Sequence, residues 1–263
     1  MKNPLVIDYL FPRRLLLAGA LLLAASGLSS SLYAQQLGPT PFPDPHNESA
    51  WPGTGPIRVF PWMTDNRNFF WTQRDAKQGA VVFVGDSLLG NWSLAKVKTE
   101  QAFPKIKVVA NRAIGGDVSR GVLFRLQEDV LDLHPEAMVL LIGTNDLSAK
   151  APVAGIISNI AAIVDEAQKA YPNMSIVLCE IPPRLSPAAP IDPSQVPALN
   201  AEIVKLAGDR KNVTLFDTYS LFVGSDSTPD PVNYKKDLLH PSDAGYAKLS
   251  DALSKVFDDL KLQ

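Results

Sequence analysis

The stretch Ala80-Val81-Val82-Phe83-Val84-Gly85-Asp86-Ser87-Leu88-Leu89 sets the frame for the rest of the chain. An apolar run passes without alternation into Gly-Asp-Ser. Such a run marks a strand buried on both faces of a parallel sheet. Open α/β sheets bind their ligands beyond the carboxyl ends of those strands. Ser87 therefore has two readings. It is a nucleophile at that rim, with Gly85 permitting a tight turn, or Asp86 and Ser87 simply cap a helix, which needs no chemistry.

The chain beyond this stretch alternates. Further apolar runs occupy residues 106–110, 137–142, 175–181 and 213–216. Between and after them lie segments with helical spacing at 118–130, 153–170, 196–207 and 244–260. Val122, Leu123, Leu126 and Val130 share one helical face, and Leu249, Leu253 and Val256 share another. Strands alternating with helices predict an α/β fold, a three-layer α/β/α sandwich on a five-stranded parallel sheet. The 263 residues, 46% of them hydrophobic, suffice for one sizeable core, so one folded domain is expected. No internal repeat is visible.

The N-terminal part reads differently. Lys2, Arg13 and Arg14 precede an apolar run over 15–28, followed by three serines and Leu32-Tyr33-Ala34. This is the order of a secretory signal, with cleavage expected after Ala34 and export to the periplasm or medium. An uncleaved membrane anchor is the alternative, for which the run is short. Arg13-Arg14 also permits a twin-arginine signal. Loss of residues 1–34 removes Lys2, Arg13, Arg14 and Asp8, leaving 22 basic against 26 acidic residues. With no basic run, a nucleic-acid partner is not expected. Residues 35–65 are dense in proline, with Pro39, Pro41, Pro43, Pro45, Pro52 and Pro56. They read as a strap or linker before a domain over 66–263. His46 and Trp51, on this strap, are expected in packing or surface roles. Trp62, Phe69, Phe70 and Trp71 either line a substrate groove or cover a core edge. Cys179 is the only cysteine, so neither a disulfide within the chain nor a cysteine-based metal site is available.

Four more features leave strand ends on the rim of Ser87. Asn111-Arg112-Ala113-Ile114-Gly115-Gly116-Asp117 brings backbone close to a ligand, or is a plain turn into a helix. Gly143-Thr144-Asn145-Asp146 carries a side-chain amide able to hold a developing oxyanion, or forms an Asx-turn. The long segment over 182–193, which includes Arg184, shapes a pocket or makes a surface excursion. Asp237-Leu238-Leu239-His240-Pro241 pairs a carboxylate with an imidazole, as a general base requires, or is a solvated turn. Of the three histidines, His46 lies in the strap and His134 precedes the third strand. Only His240 has a route to Ser87.

The four blocks 84–88, 111–117, 143–146 and 237–240 resemble, in order, those of the SGNH (GDSL-type) hydrolases. The glycine-rich and Gly-Thr-Asn-Asp blocks are most similar to the branch of platelet-activating-factor acetylhydrolase-like subunits and bacterial acetylesterases. The resemblance spans roughly residues 66–260. It implies a flavodoxin-like SGNH hydrolase fold and a serine esterase without metal or organic cofactor. Ser87 would be the nucleophile, with His240 and Asp237 completing a triad. The Ser87 and Gly116 amides and the Asn145 side chain would form the oxyanion hole. The expected substrate is a small-molecule or carbohydrate ester, first of all a short-chain acyl ester such as an O-acetylated carbohydrate. Lipase, lysophospholipase, thioesterase and arylesterase activities are the alternatives, and a non-catalytic binding module is a further one. Leu88, Trp92 and Arg184 are expected to contact substrate. With Leu89 and residues 185–191, Leu88 and Trp92 would line an apolar trough for a longer acyl chain. Leu89 departs from the family, where many relatives carry threonine, and the strap has no counterpart there.

Overall fold

The computed structural model describes residues 37–263; the expected leader over 1–34 and its cleavage point lie outside the described residues. The helices are α1 (Pro61–Gln73), α2 (Ser87–Gly90), α3 (Thr99–Ala102), α4 (Ser119–Asp129), α5 (Thr144–Ser148), α6 (Val153–Ala170), α7 (Gln195–Gly208), α8 (Thr218–Phe222) and α9 (Asp243–Leu260). The strands are β1 (Val81–Gly85), β2 (Val109–Asn111), β3 (Ala137–Leu141), β4 (Ser175–Cys179) and β5 (Val213–Phe216). No helix among the described residues is long and apolar enough to cross a membrane.

The five strands form one parallel sheet in the order β2-β1-β3-β4-β5. Every residue of β1 and β3 is buried, which is why both read as unbroken apolar runs. Their register pairs Val81 with Ala137 and Gly85 with Leu141, so they end level. The chain steps from β1 outward to β2 and then back across β1 to β3. This reversal of winding opens a crevice at the carboxyl ends of β1 and β3. Helices α4, α6 and α7 pack side by side on one face of the sheet. The other face is covered by α9, whose Phe257 meets Phe83 and Phe103. The result is the expected three-layer α/β/α sandwich.

β2 is shorter than its apolar run. Ile106 lies in a turn, its amide on the Phe103 carbonyl, and pairing begins at Val109 opposite Val81. Pro61 occupies the first helical position, where its missing N–H costs nothing, and α1 runs through residue 65 without a break.

Residues 38–263 form one compact unit that includes the proline-rich segment from residue 38 on. The buried guanidinium of Arg120 on α4 gathers the strap. It donates to the carbonyls of Glu48, Trp51, Pro52 and Gly55. Asn159 on α6 donates to the Thr54 carbonyl and accepts from its amide. Trp51 is buried between the rings of Phe42 and Phe124. Prolines erase periodicity from the sequence, yet they leave these carbonyls free to be collected.

Candidate active site

At the end of β1 the backbone turns at Gly85, which has φ +156°. A Cβ there would lie 2.0 Å from the Leu141 carbonyl oxygen, so no other residue fits beside β3. Asp86 caps α2, its Oδ1 accepting the Leu88 amide at 2.9 Å. Asp86 therefore does the capping, and the Ser87 hydroxyl is left for another partner.

That partner is His240. Its Nε2 lies 2.9 Å from Ser87 Oγ, and its Nδ1 lies 2.7 Å from Asp237 Oδ2. A carboxylate only accepts, so Nδ1 carries the proton and Nε2 accepts from the serine hydroxyl. Leu238, at φ +49°, folds the chain so that Asp237 turns back on the ring. Asp237 Oδ1 accepts the amides of Leu239 and His240, both at 3.0 Å. Burial works to raise the Asp237 pKa, but hydrogen bonds from the His240 ring and these two amides outweigh it. The carboxyl is held below its usual range, so it is ionised wherever the imidazole acts as a base.

The other two rim loops close on the same point. Gly115 packs beside Ser87, the position of its Cβ lying 3.8 Å from Ser87 Cβ. Gly116 has φ +87°, and the turn closes through the Asp117 amide on the Ile114 carbonyl. Among the described residues no hydrogen bond occupies the Gly116 amide. Asn145 stands in the first turn of α5 and donates from Nδ2 to the Asp117 carbonyl at 2.9 Å. Its Oδ1 accepts from Arg58 Nη1 at 3.3 Å. One Asn145 N–H remains available, and an amide N–H is the kind of donor that steadies an oxyanion. Beneath these loops the Arg125 guanidinium, fully buried, bridges Asp117 and Asp129 and donates to the Gly85 carbonyl.

Three expected substrate contacts are corrected. Leu88 is 2% and Trp92 1% exposed, and Leu89 is equally buried. Helix α2 turns Leu88 and Leu89 inward, and the turn that follows it buries Trp92, which stacks on Tyr246 at 5.2 Å. Arg184 is also buried. It donates to the Thr144 carbonyl, Thr144 Oγ1, Ser148 Oγ and the Ala189 carbonyl, pinning its own loop to α5. His46 is exposed on the strap, and His134 bonds Gln78 before β3. Burial pushes the Cys179 thiol up to about 12, so it stays protonated and inert.

Residues outside the expected set also reach the rim. Arg58 touches Asn145, Phe60 packs on Gly116, and Trp62 Nε1 donates to the Gly115 carbonyl at 2.8 Å. From Gly115 a groove of about 820 Å³ runs along α1, where Trp62, Asn66, Phe69 and Gln73 lie on one helical face. Asn91 and Ser93 line its opposite side. The helical spacing of the aromatics was visible in sequence; that Trp62 and Phe69 face outward, 48% and 56% exposed, was not. Met63 and Phe70 form the buried side of the same helix.

A serine hydroxyl bonded to a carboxylate-backed imidazole, with a glycine turn packed beside it, is the equipment of a serine ester hydrolase. The chain belongs to the GDSL-like Lipase/Acylhydrolase family, whose sequence profile matches residues 83–248. It is 31% identical to human platelet-activating factor acetylhydrolase IB subunit alpha2 over 204 residues, 76% of this chain and 84% of that protein. An acylhydrolase structure from Bacteroides fragilis superposes with a TM-score of 0.65 at 24% identity, covering 77% of this chain and 99% of the other. A platelet-activating-factor-related structure from Streptococcus pneumonia gives 0.60 at 25% identity, covering 74% and 94%. The strap and α1 precede the residues matched by the family profile.

Proposed function

We propose that this esterase uses Ser87, His240 and Asp237 as its triad and removes short acyl groups, acetyl first, from carbohydrate esters outside the cytoplasm. The observation that carries the triad is the unbroken run of hydrogen bonds from Ser87 Oγ through both His240 nitrogens to Asp237. Ser87 Oγ attacks the ester carbonyl as its proton passes to His240 Nε2. The oxyanion is held by the Ser87 and Gly116 amides and the free N–H of Asn145. His240 then protonates the departing alcohol, and water activated by the same ring hydrolyses the acyl-enzyme.

Two features support a small acyl group on a sugar. Leu88, Leu89 and Trp92 are packed away in the core and supply no trough for a long chain. The groove beside α1 alternates aromatic and amide side chains over about 16 Å of helix, which suits an oligosaccharide better than a simple alcohol. The related subunit alpha2 is named for acetyl-ester hydrolysis, in keeping with the short acyl group. Export rests on the sequence of residues 1–34.

The test has two arms. Ser87→Ala and His240→Ala should each nearly abolish hydrolysis of p-nitrophenyl acetate, and a fluorophosphonate probe should label Ser87. Full activity in either variant rejects the triad. Rates on acetylated oligosaccharides should exceed those on esters of lengthening acyl chain. A preference for long chains rejects the substrate.

A further inference from the structure

The segment leading into α1, with the helix's first turn, supplies three contacts to the two loops that hold Gly116 and Asn145. Arg58 Nη1 donates to Asn145 Oδ1 at 3.3 Å. The Phe60 ring lies 3.3 Å from the position a Gly116 Cβ would take, so it packs directly on that glycine. Trp62 stacks on Phe60 at 4.5 Å and donates to the Gly115 carbonyl. These residues stand at alternate positions, and all of them precede the matched region at 83–248.

The Asn145 amide has two possible orientations, and its partners select one. With Nδ2 on the Asp117 carbonyl and Oδ1 on Arg58, every contact joins a donor to an acceptor. Turned over, it would set oxygen against the Asp117 carbonyl and N–H₂ against the guanidinium. A cationic donor on Oδ1 also polarises the amide, which strengthens the N–H left pointing at the substrate. Among the described residues Arg58 forms no ion pair with a carboxylate, so its charge is not neutralised at short range.

We propose that Arg58 is a positioning residue for the oxyanion hole, fixing and polarising the Asn145 amide from the N-terminal strap. This rests on the assignment of Asn145 as an oxyanion donor. Arg58 touches no reacting atom; it acts through Asn145. Its contribution belongs to the transition state, where charge develops on the carbonyl oxygen, and so to kcat.

The experiment compares Arg58→Ala, Arg58→Lys, Asn145→Ala and the double variant Arg58→Ala/Asn145→Ala on p-nitrophenyl acetate, with a thermal melt of each. Loss of the Asn145 donor should cost about 100-fold or more in kcat. Arg58→Ala should lower kcat about 10-fold, a part of the effect of losing that whole donor, at unchanged KM and melting temperature. Arg58→Lys should recover part of the rate, and Arg58→Ala should cost nothing further once Asn145 is gone. A wild-type kcat in Arg58→Ala, or an equal loss from Arg58→Ala with and without Asn145, overturns the proposal. Wild-type activity in Asn145→Ala overturns the assignment of Asn145 itself and takes the proposal with it. That result leaves the triad, tested by Ser87→Ala, untouched.

Discussion

Asp86 sits one residue before the nucleophile in the family's Gly-Asp-Ser block, and its chemistry can be isolated by replacing it with asparagine. The carboxyl is fully buried. Desolvation raises its pKa from 3.8 to about 7, with the Leu88 amide opposing and the charges of Asp117 and Asp146 adding to the rise. Its Oδ2 has no hydrogen-bond partner, in accord with a buried charge that is poorly compensated. In the unfolded chain the same group ionises near 4. Between those values the folded protein binds the proton and the unfolded chain does not, so stability falls as pH rises through the window. At full ionisation the loss is about 4 kcal/mol, and the part falling between pH 5 and pH 8 is about 2–3 kcal/mol. In Asp86→Asn the new side chain still accepts the Leu88 amide but has nothing to ionise. Urea unfolding of both proteins at pH 5, 6, 7 and 8 should show the wild type losing about 2–3 kcal/mol relative to Asp86→Asn. Acids remote from Asp86 titrate alike in both proteins and cancel in the difference. Parallel stability curves across this range would refute the reasoning.

Three further outcomes are expected. Gly116→Ala places a side chain at φ +87° against the Phe60 ring; it should cost about 1–2 kcal/mol in backbone strain and lower kcat, read by thermal melts and initial rates. Arg120→Ala strips the donor from four strap carbonyls and should cost about 2–4 kcal/mol in urea unfolding. It should also open residues 38–60 to limited proteolysis, and unchanged digestion would count against the strap's anchorage. Phe69→Ala, on the exposed face of α1, should reduce kcat/KM several-fold on an acetylated oligosaccharide while leaving p-nitrophenyl acetate unaffected; equal loss on both substrates would remove the groove from substrate binding.

The sheet was legible because its central strands are buried on both faces and so spell unbroken apolar runs. The rim loops were legible because glycine, asparagine, aspartate and histidine interrupt those runs at their ends. The structure joins Ser87, His240 and Asp237 by hydrogen bonds, sets Gly115 beside Ser87 and holds Asn145 on the Asp117 carbonyl. Side-chain direction was not legible. Leu88 and Trp92 follow Ser87 closely in sequence, but the helix that starts at the serine and the turn after it carry them under the site instead of into it. Arg184 lies in a rim loop, yet its two Nη atoms bond Thr144, Ser148 and the Ala189 carbonyl of the protein itself. The strap was the largest omission. Its prolines read as a strap or linker, but nothing local in the sequence announces that Arg58 meets an asparagine 87 residues away.

The gathering of strap carbonyls by Arg120 has a consequence in time. Those bonds, with the ones to Asn159 and Asn145, join residues 65 to 105 positions apart. Closing loops of that length costs entropy that is recovered only once α4, α6 and the rim loops stand in place to receive the strap. Helices and neighbouring strands have no such wait. The earliest part of the described chain to be synthesised is thus expected to be the last to find its seat, an order that pulse-labelled hydrogen exchange of the strap amides would report.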